Sequence, residues 1–122
     1  GAVMKSLVIA AVLTLATPLS YAASFDCQKA SSSVEKAICS NPTLGKLDEA
    51  LAENYRYMMA SNIGDGARKD LRQTQRAWVA KRNKCADGAC IEAAYRSRVD
   101  DVCDYPVISG IHPSCTSSDE IK

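Results

Sequence analysis

The sequence predicts an all-α fold, a small antiparallel helical hairpin or bundle of about four helices stapled by disulfides. Three observations carry it. Apolar residues recur at steps of three and four through most of the chain. No alternating strand pattern of useful length occurs. Six cysteines sit in 122 residues that are 47% hydrophobic and 24% charged, and six cysteines in so short a chain point to disulfides where the chain is exported.

The elements follow in order. Residues 4–22, MKSLVIAAVLTLATPLSYA, have a charged start at Lys5, an apolar run and small residues before a cut, which is the pattern of a secretory signal peptide. Cleavage is expected near Ala22, with Gly1 to Val3 a remnant ahead of the leader. The apolar run is too short to span a bilayer of roughly 30 Å, so no membrane span is expected in the mature form. Residues 23–103 form the helical domain and 104–122 an irregular tail.

Ser32 and Glu35 make an S-x-x-E capping box, and a short helix over 33–39 stops before Asn41-Pro42. Thr43 is expected to cap the second helix, in which Leu47, Leu51, Tyr55 and Met58 form the apolar stripe. It ends before Ile63-Gly64-Asp65-Gly66, whose glycines suit a turn. The third helix is expected from near Ala67 to near Cys85, with Leu71, Gln75, Trp78 and Arg82 on one face and basic side chains on the others. A tight turn at Ala86 to Ala89 leads to a fourth helix carrying Ile91, Ala94, Tyr95, Val99 and Val102. Short loops imply antiparallel neighbours. Pairing of cysteines adjacent in sequence suggests Cys27 with Cys39, Cys85 with Cys90 and Cys103 with Cys115. A rival sets Cys39 against Cys85, because the third helix returns to the start of the second.

The chemistry is mostly that of structure. Without Lys5 the remaining chain balances 14 basic against 14 acidic residues, which gives no electrostatic footprint for nucleic acid. The single histidine, His112, lies in the tail away from any nucleophile elbow. Cys85 and Cys90 have no second ligand pair, so no catalytic group, metal site or cofactor is expected. Adjacent acids such as Asp48 and Glu49 diverge by about 100° on a helix and cannot serve one substrate. The informative set is Asp48, Tyr55, Gln75, Trp78, Arg82, Tyr95 and Arg98. These polar side chains run through the buried stripes and are expected to form an internal network, with Asp48 to Arg82 as its ion pair.

Taken together, F-D-C at 25–27, E-K-A-I-C at 35–39, L-x-x-L-D at 44–48, Tyr55, Q-R-A-W at 75–78, Arg82, Cys85, Cys90 and A-x-Y-R-x-R ending at Arg98 resemble the LprI-like lysozyme inhibitor domain family. The resemblance covers residue 25 to about 102. It implies a non-catalytic exported α-helical protein of the Gram-negative periplasm or bacterial surface. Lysozyme or another cell-wall hydrolase is then the implied partner. It also implies that Cys27, Cys39, Cys85 and Cys90 are the family's disulfide cysteines, with Cys103 and Cys115 an addition. An inhibitor of a glycosidase must plug a cleft lined by two carboxylates, commonly with a loop offering donors or a cation. Candidate partner-binding loops are the Asp65-Gly66 turn, the Asp87-Gly88 loop with Lys84 beside it, and the tail around His112. Asp100, Asp101 and Asp104 offer a local acidic patch to a basic lysozyme. The basic face of the third helix suits an anionic partner instead, such as a phospholipid head group or a bacterial polymer. The other function class is a non-catalytic envelope module, including an immunity-like partner of a secreted toxin.

Overall fold

A computed structural model describes residues 23–122; the expected leader over 4–22 and the residues ahead of it lie outside the described residues. Among the described residues there are four α-helices, α1 (Ser33–Ser40), α2 (Pro42–Ala60), α3 (Asp65–Arg82) and α4 (Gly88–Asp101), with 3-10 turns at Cys27–Lys29 and Ser118–Glu120. Among the described residues there is no strand.

Local chemistry sets the helix ends. The Ser32 hydroxyl accepts the Glu35 N–H at 3.0 Å, and the Glu35 carboxylate accepts the Ser32 N–H at 3.3 Å, completing the capping box. These bonds stabilise the charged form and hold the Glu35 carboxyl below its ordinary pKa. The cap of α2 is Asn41, not Thr43. Its side-chain oxygen accepts the N–H groups of Thr43 and Leu44 at 3.0 and 3.2 Å. Pro42 explains the shift: it lacks an N–H and its fixed φ suits the first helical position, so the cap falls on the residue before it.

α3 begins two residues before Ala67. Gly64 alone supplies the left-handed backbone, at φ 89°, while Gly66 is already helical. Arg68 closes the turn by donating to the carbonyls of Met59 and Ser61 at the end of α2, at 3.2 and 3.0 Å. α3 also ends earlier than expected, at Arg82. Asp87 then caps α4 by accepting the Cys90 N–H at 2.9 Å.

The core is built by Val34 and Ile38 of α1, Leu44, Leu47, Leu51 and Met58 of α2, and Ile91, Tyr95 and Val99 of α4. α3 adds a single fully buried apolar side chain, Leu71. Contacts between Asp48 and Tyr95 and between Asn54 and Val99 show that α2 and α4 run in the same direction. α3 runs against both, its Arg82 reaching Tyr95 and its Gln75 reaching Arg98.

Three disulfides join Cys27 to Cys39, Cys85 to Cys90 and Cys103 to Cys115, with Cα separations of 5.8, 5.5 and 6.4 Å. The Cys39–Cys85 alternative does not form, although its proximity argument had substance. Val34 and Ala37 of α1 share one surface cleft with Cys85, but each cysteine finds a nearer partner along its own chain. The tail is irregular yet tied down. Asn54, fully buried, donates to the Thr116 carbonyl at 2.9 Å and accepts the Thr116 N–H at 3.0 Å. Ser118 donates through both its N–H and its hydroxyl to Asp100, at 2.9 and 2.7 Å.

Candidate functional site

Hydrogen bonds and stacking gather the polar side chains into two clusters. In the first, Arg82 and Asp48 do not pair directly. The Tyr95 hydroxyl stands between them, accepting from Arg82 Nη1 at 2.9 Å and donating to Asp48 Oδ1 at 2.6 Å. Asp48 accepts a second donor, the Ser24 N–H. Arg82 directs Nε and Nη2 to Asn83 Oδ1, at 3.1 and 2.8 Å. A tyrosine from α4 thus bridges Asp48 of α2 and Arg82 of α3. Burial, reinforced by the Asp48 charge, pushes the Tyr95 hydroxyl far above the ordinary tyrosine range.

Trp78 belongs to this cluster by stacking. Its ring meets Tyr95 edge-on at 4.8 Å, lies 5.7 Å from the Arg82 guanidinium carbon, and donates Nε1–H to the Ala94 carbonyl at 3.0 Å. Trp78 is packed against the core but only partly buried.

The second cluster centres on Arg98, which is 8% exposed. Nε donates to Gln75 Oε1 at 2.9 Å and Nη2 to Thr74 Oγ1 at 3.0 Å. Neither acceptor is charged, and burial pulls the Arg98 pKa down. Tyr55 lies against the core near this cluster, yet makes no hydrogen bond among the described residues. Its apolar ring satisfies the stripe position, and its hydroxyl is not drawn into the network.

The candidate loop residues fall at opposite ends of the molecule. Asp65, Gly66 and His112 lie at the end where α2 meets α3. Lys84, Asp87 and Gly88 lie at the other, beyond α3, whose 18 residues span about 27 Å. They are therefore two surfaces. Asp65 is fully exposed and ion-paired to Arg68 at 3.0 Å. His112 places its ring nitrogens 2.8 and 2.9 Å from the carbonyl oxygens of Pro113 and Cys103, so it anchors the tail. Of the acidic patch, Asp100 is engaged by Ser118.

The same end carries a feature missed in the sequence reading. Ile108 and Ile111 are 70% and 93% exposed on a loop fixed at several points. Ile108 N–H donates to the Asn62 carbonyl at 2.7 Å, Asn62 Nδ2 donates to Ser109 Oγ at 2.6 Å, and the Cys103–Cys115 bond closes the base. Asn54 was also missed, although it lies three residues after Leu51 and four before Met58 and so on the buried stripe of α2. An open groove of about 470 Å³ runs between α3 and α4, lined by Trp78, Lys81, Lys84, Ala94, Arg98 and Asp101 among others.

Among the described residues no group of three or more His, Cys, Asp or Glu side chains is placed to hold a metal ion. No helix among them is long and apolar enough to cross a membrane. No curated protein and no solved structure matches the chain significantly. The family described as lysozyme inhibitor LprI matches residues 26–115, which extends past residue 102, where the motif resemblance ends, and through the loop closed by Cys103 and Cys115. An all-helical, disulfide-stapled domain matched over that span belongs to the LprI lysozyme inhibitor family.

Proposed function

We propose that the protein is exported and acts as a proteinaceous inhibitor of a lysozyme-type glycosidase, covering or entering the substrate cleft without doing chemistry itself. Family membership supports a lysozyme as the partner class. The observation that carries the mode of action is the fixed loop bearing Ile108 and Ile111, exposed by 70% and 93%. Exposed apolar side chains on a preorganised loop lose little conformational entropy on binding. Such anchors commonly dominate an interface. Three disulfides and no free cysteine support an oxidising compartment such as the periplasm or the cell exterior.

Turbidimetric lysis of bacterial cell walls by c-type lysozyme, titrated with the oxidised protein, tests this reading. Saturating inhibition near one-to-one is expected, and Ile108→Ser with Ile111→Ser should weaken it about tenfold. No inhibition of c-type, goose-type or invertebrate-type lysozyme would overturn it. A second reading, a non-catalytic envelope module or immunity-like partner, is favoured by Lys69, Arg72 and Arg76. These lie on one exposed side of α3 and form no ion pair among the described residues. Retention on anionic but not neutral vesicles would favour that reading.

A further inference from the structure

The α3–α4 groove shares no lining residue with the isoleucine loop, and an inhibitor working through that loop has no use for it. Its charge is unbalanced. Lys81, Lys84 and Arg98 face it against Asp101 alone, and neither lysine forms an ion pair among the described residues. Arg98 is the telling residue. It is 8% exposed, and both of its acceptors are neutral side chains. Its Nη1 makes no hydrogen bond among the described residues, yet no buried side-chain nitrogen lacks a partner. That nitrogen is therefore reached by solvent, and the residue lines the groove. Asp101 and Asp70 act on it through space, but a largely buried guanidinium whose direct acceptors are both neutral still gains from an anion that bonds it.

The rest of the groove is apolar and rigid. The Trp78 indole is locked in place by its bond to Ala94 and its edge contact with Tyr95, and the Cys85–Cys90 disulfide forms one wall. About 470 Å³ lies within the roughly 300–1,000 Å³ of small-molecule sites, which pair apolar walls with a few placed polar groups. A bare anion would leave the indole unused. A pyranose ring, with C–H groups clustered on one face, and an acidic substituent would use both features. We propose that this groove binds an anionic saccharide, the sugar ring laid against Trp78 and the acid group held by Lys81, Lys84 and Arg98.

Trp78 is the only tryptophan, so its emission reports on this site directly. The oxidised protein would be titrated with N-acetylmuramic acid, glucose 6-phosphate, N-acetylglucosamine and inorganic phosphate, by fluorescence and by calorimetry. Saturable binding of one of the two acidic sugars is expected, at least tenfold tighter than N-acetylglucosamine or inorganic phosphate. Which acidic sugar binds identifies the acid group. Lys81→Gln with Lys84→Gln removes two exposed charges without touching the core, so it should leave the melting temperature unchanged and weaken binding about tenfold. Silence from both acidic sugars overturns the proposal, as does equal binding of N-acetylglucosamine. Equally tight binding of phosphate overturns its saccharide part, and binding unchanged in the double variant overturns its charge part. Lysozyme inhibition is independent of all these outcomes.

Discussion

Removing one oxygen from Tyr95 should destabilise the fold more than most single-atom changes. Tyr95→Phe keeps the ring that meets Trp78 edge-on at 4.8 Å and deletes the hydroxyl joining Arg82 to Asp48, at 2.9 and 2.6 Å. Both partners are buried, Arg82 at 9% and Asp48 at 5% exposure. Each lost bond involves a charged group, worth about 1.5–3 kcal/mol when its partner stays buried. The remaining contacts soften the loss, since Asp48 keeps the Ser24 N–H and Arg82 keeps Asn83. The lower end of each range therefore applies, about 3 kcal/mol in all. Urea unfolding followed by Trp78 emission would read this as a midpoint lowered by about 2–3 M at a slope near 1 kcal/mol/M, with the slope itself unchanged. A double-mutant cycle with Arg82→Met should return a coupling of about 1–2 kcal/mol. A loss below about 1 kcal/mol would refute the reasoning, because it would mean that water satisfies Arg82 and Asp48 as well as the hydroxyl does.

Asn54→Ala leaves the carbonyls of Val99 and Thr116 and the Thr116 N–H without their partner. It should cost about 2–3 kcal/mol and raise hydrogen exchange at Thr116 before the helices. Replacing Cys103 and Cys115 together by Ser opens a loop of 12 residue steps, at a cost of about 3 kcal/mol, and limited proteolysis should then cut within 104–114. Stability should fall above pH 10. Unfolded Tyr95 loses its proton near 10.0, whereas the folded hydroxyl keeps it, so unfolding is favoured by up to about 1.4 kcal/mol per pH unit above that point. Tyr105, also raised by burial and by its bond to Asp70, adds to the slope, and Tyr95→Phe should flatten it when alkaline unfolding is followed by circular dichroism.

Helix content was legible because the chain states its boundaries in side-chain chemistry. Ser32 with Glu35 and Asn41 with Pro42 are local signals that the structure uses, whereas Asp87-Gly88, expected within a tight turn, are the cap and first residue of α4. The errors were local as well. Thr43 lost its capping role to a proline effect acting one residue upstream, and α3 starts two residues before Ala67, where Arg68 reaches back to Met59 and Ser61. The members of the polar network were visible as hydrophilic residues at buried helical positions. Their partners were not, because spacing along one helix does not say which residue of another helix stands opposite. Hence a tyrosine between Asp48 and Arg82 went unseen. The isoleucine loop was hidden for a different reason: with no periodicity, exposure there depends on long-range ties from Asn54 and Asn62.

How α3 is held explains why this domain has surface to spare. α2 and α4 bury the apolar core between them, while α3 contributes Leu71 and otherwise docks through Thr74, Gln75, Trp78 and Arg82. Apolar contacts alone would let such a helix slide along its neighbours, since they are tolerant of register. Directional bonds at its middle and its end are not. Trp78 to Ala94, Arg98 to Gln75 and Arg82 to Tyr95 each fix one height along α4, and all three hold in one register only. A helix positioned by a few aimed contacts need not be enclosed to be fixed. α3 can therefore leave Lys69, Arg72 and Arg76 in solvent and an open groove beside Trp78, and still present both surfaces in a defined geometry.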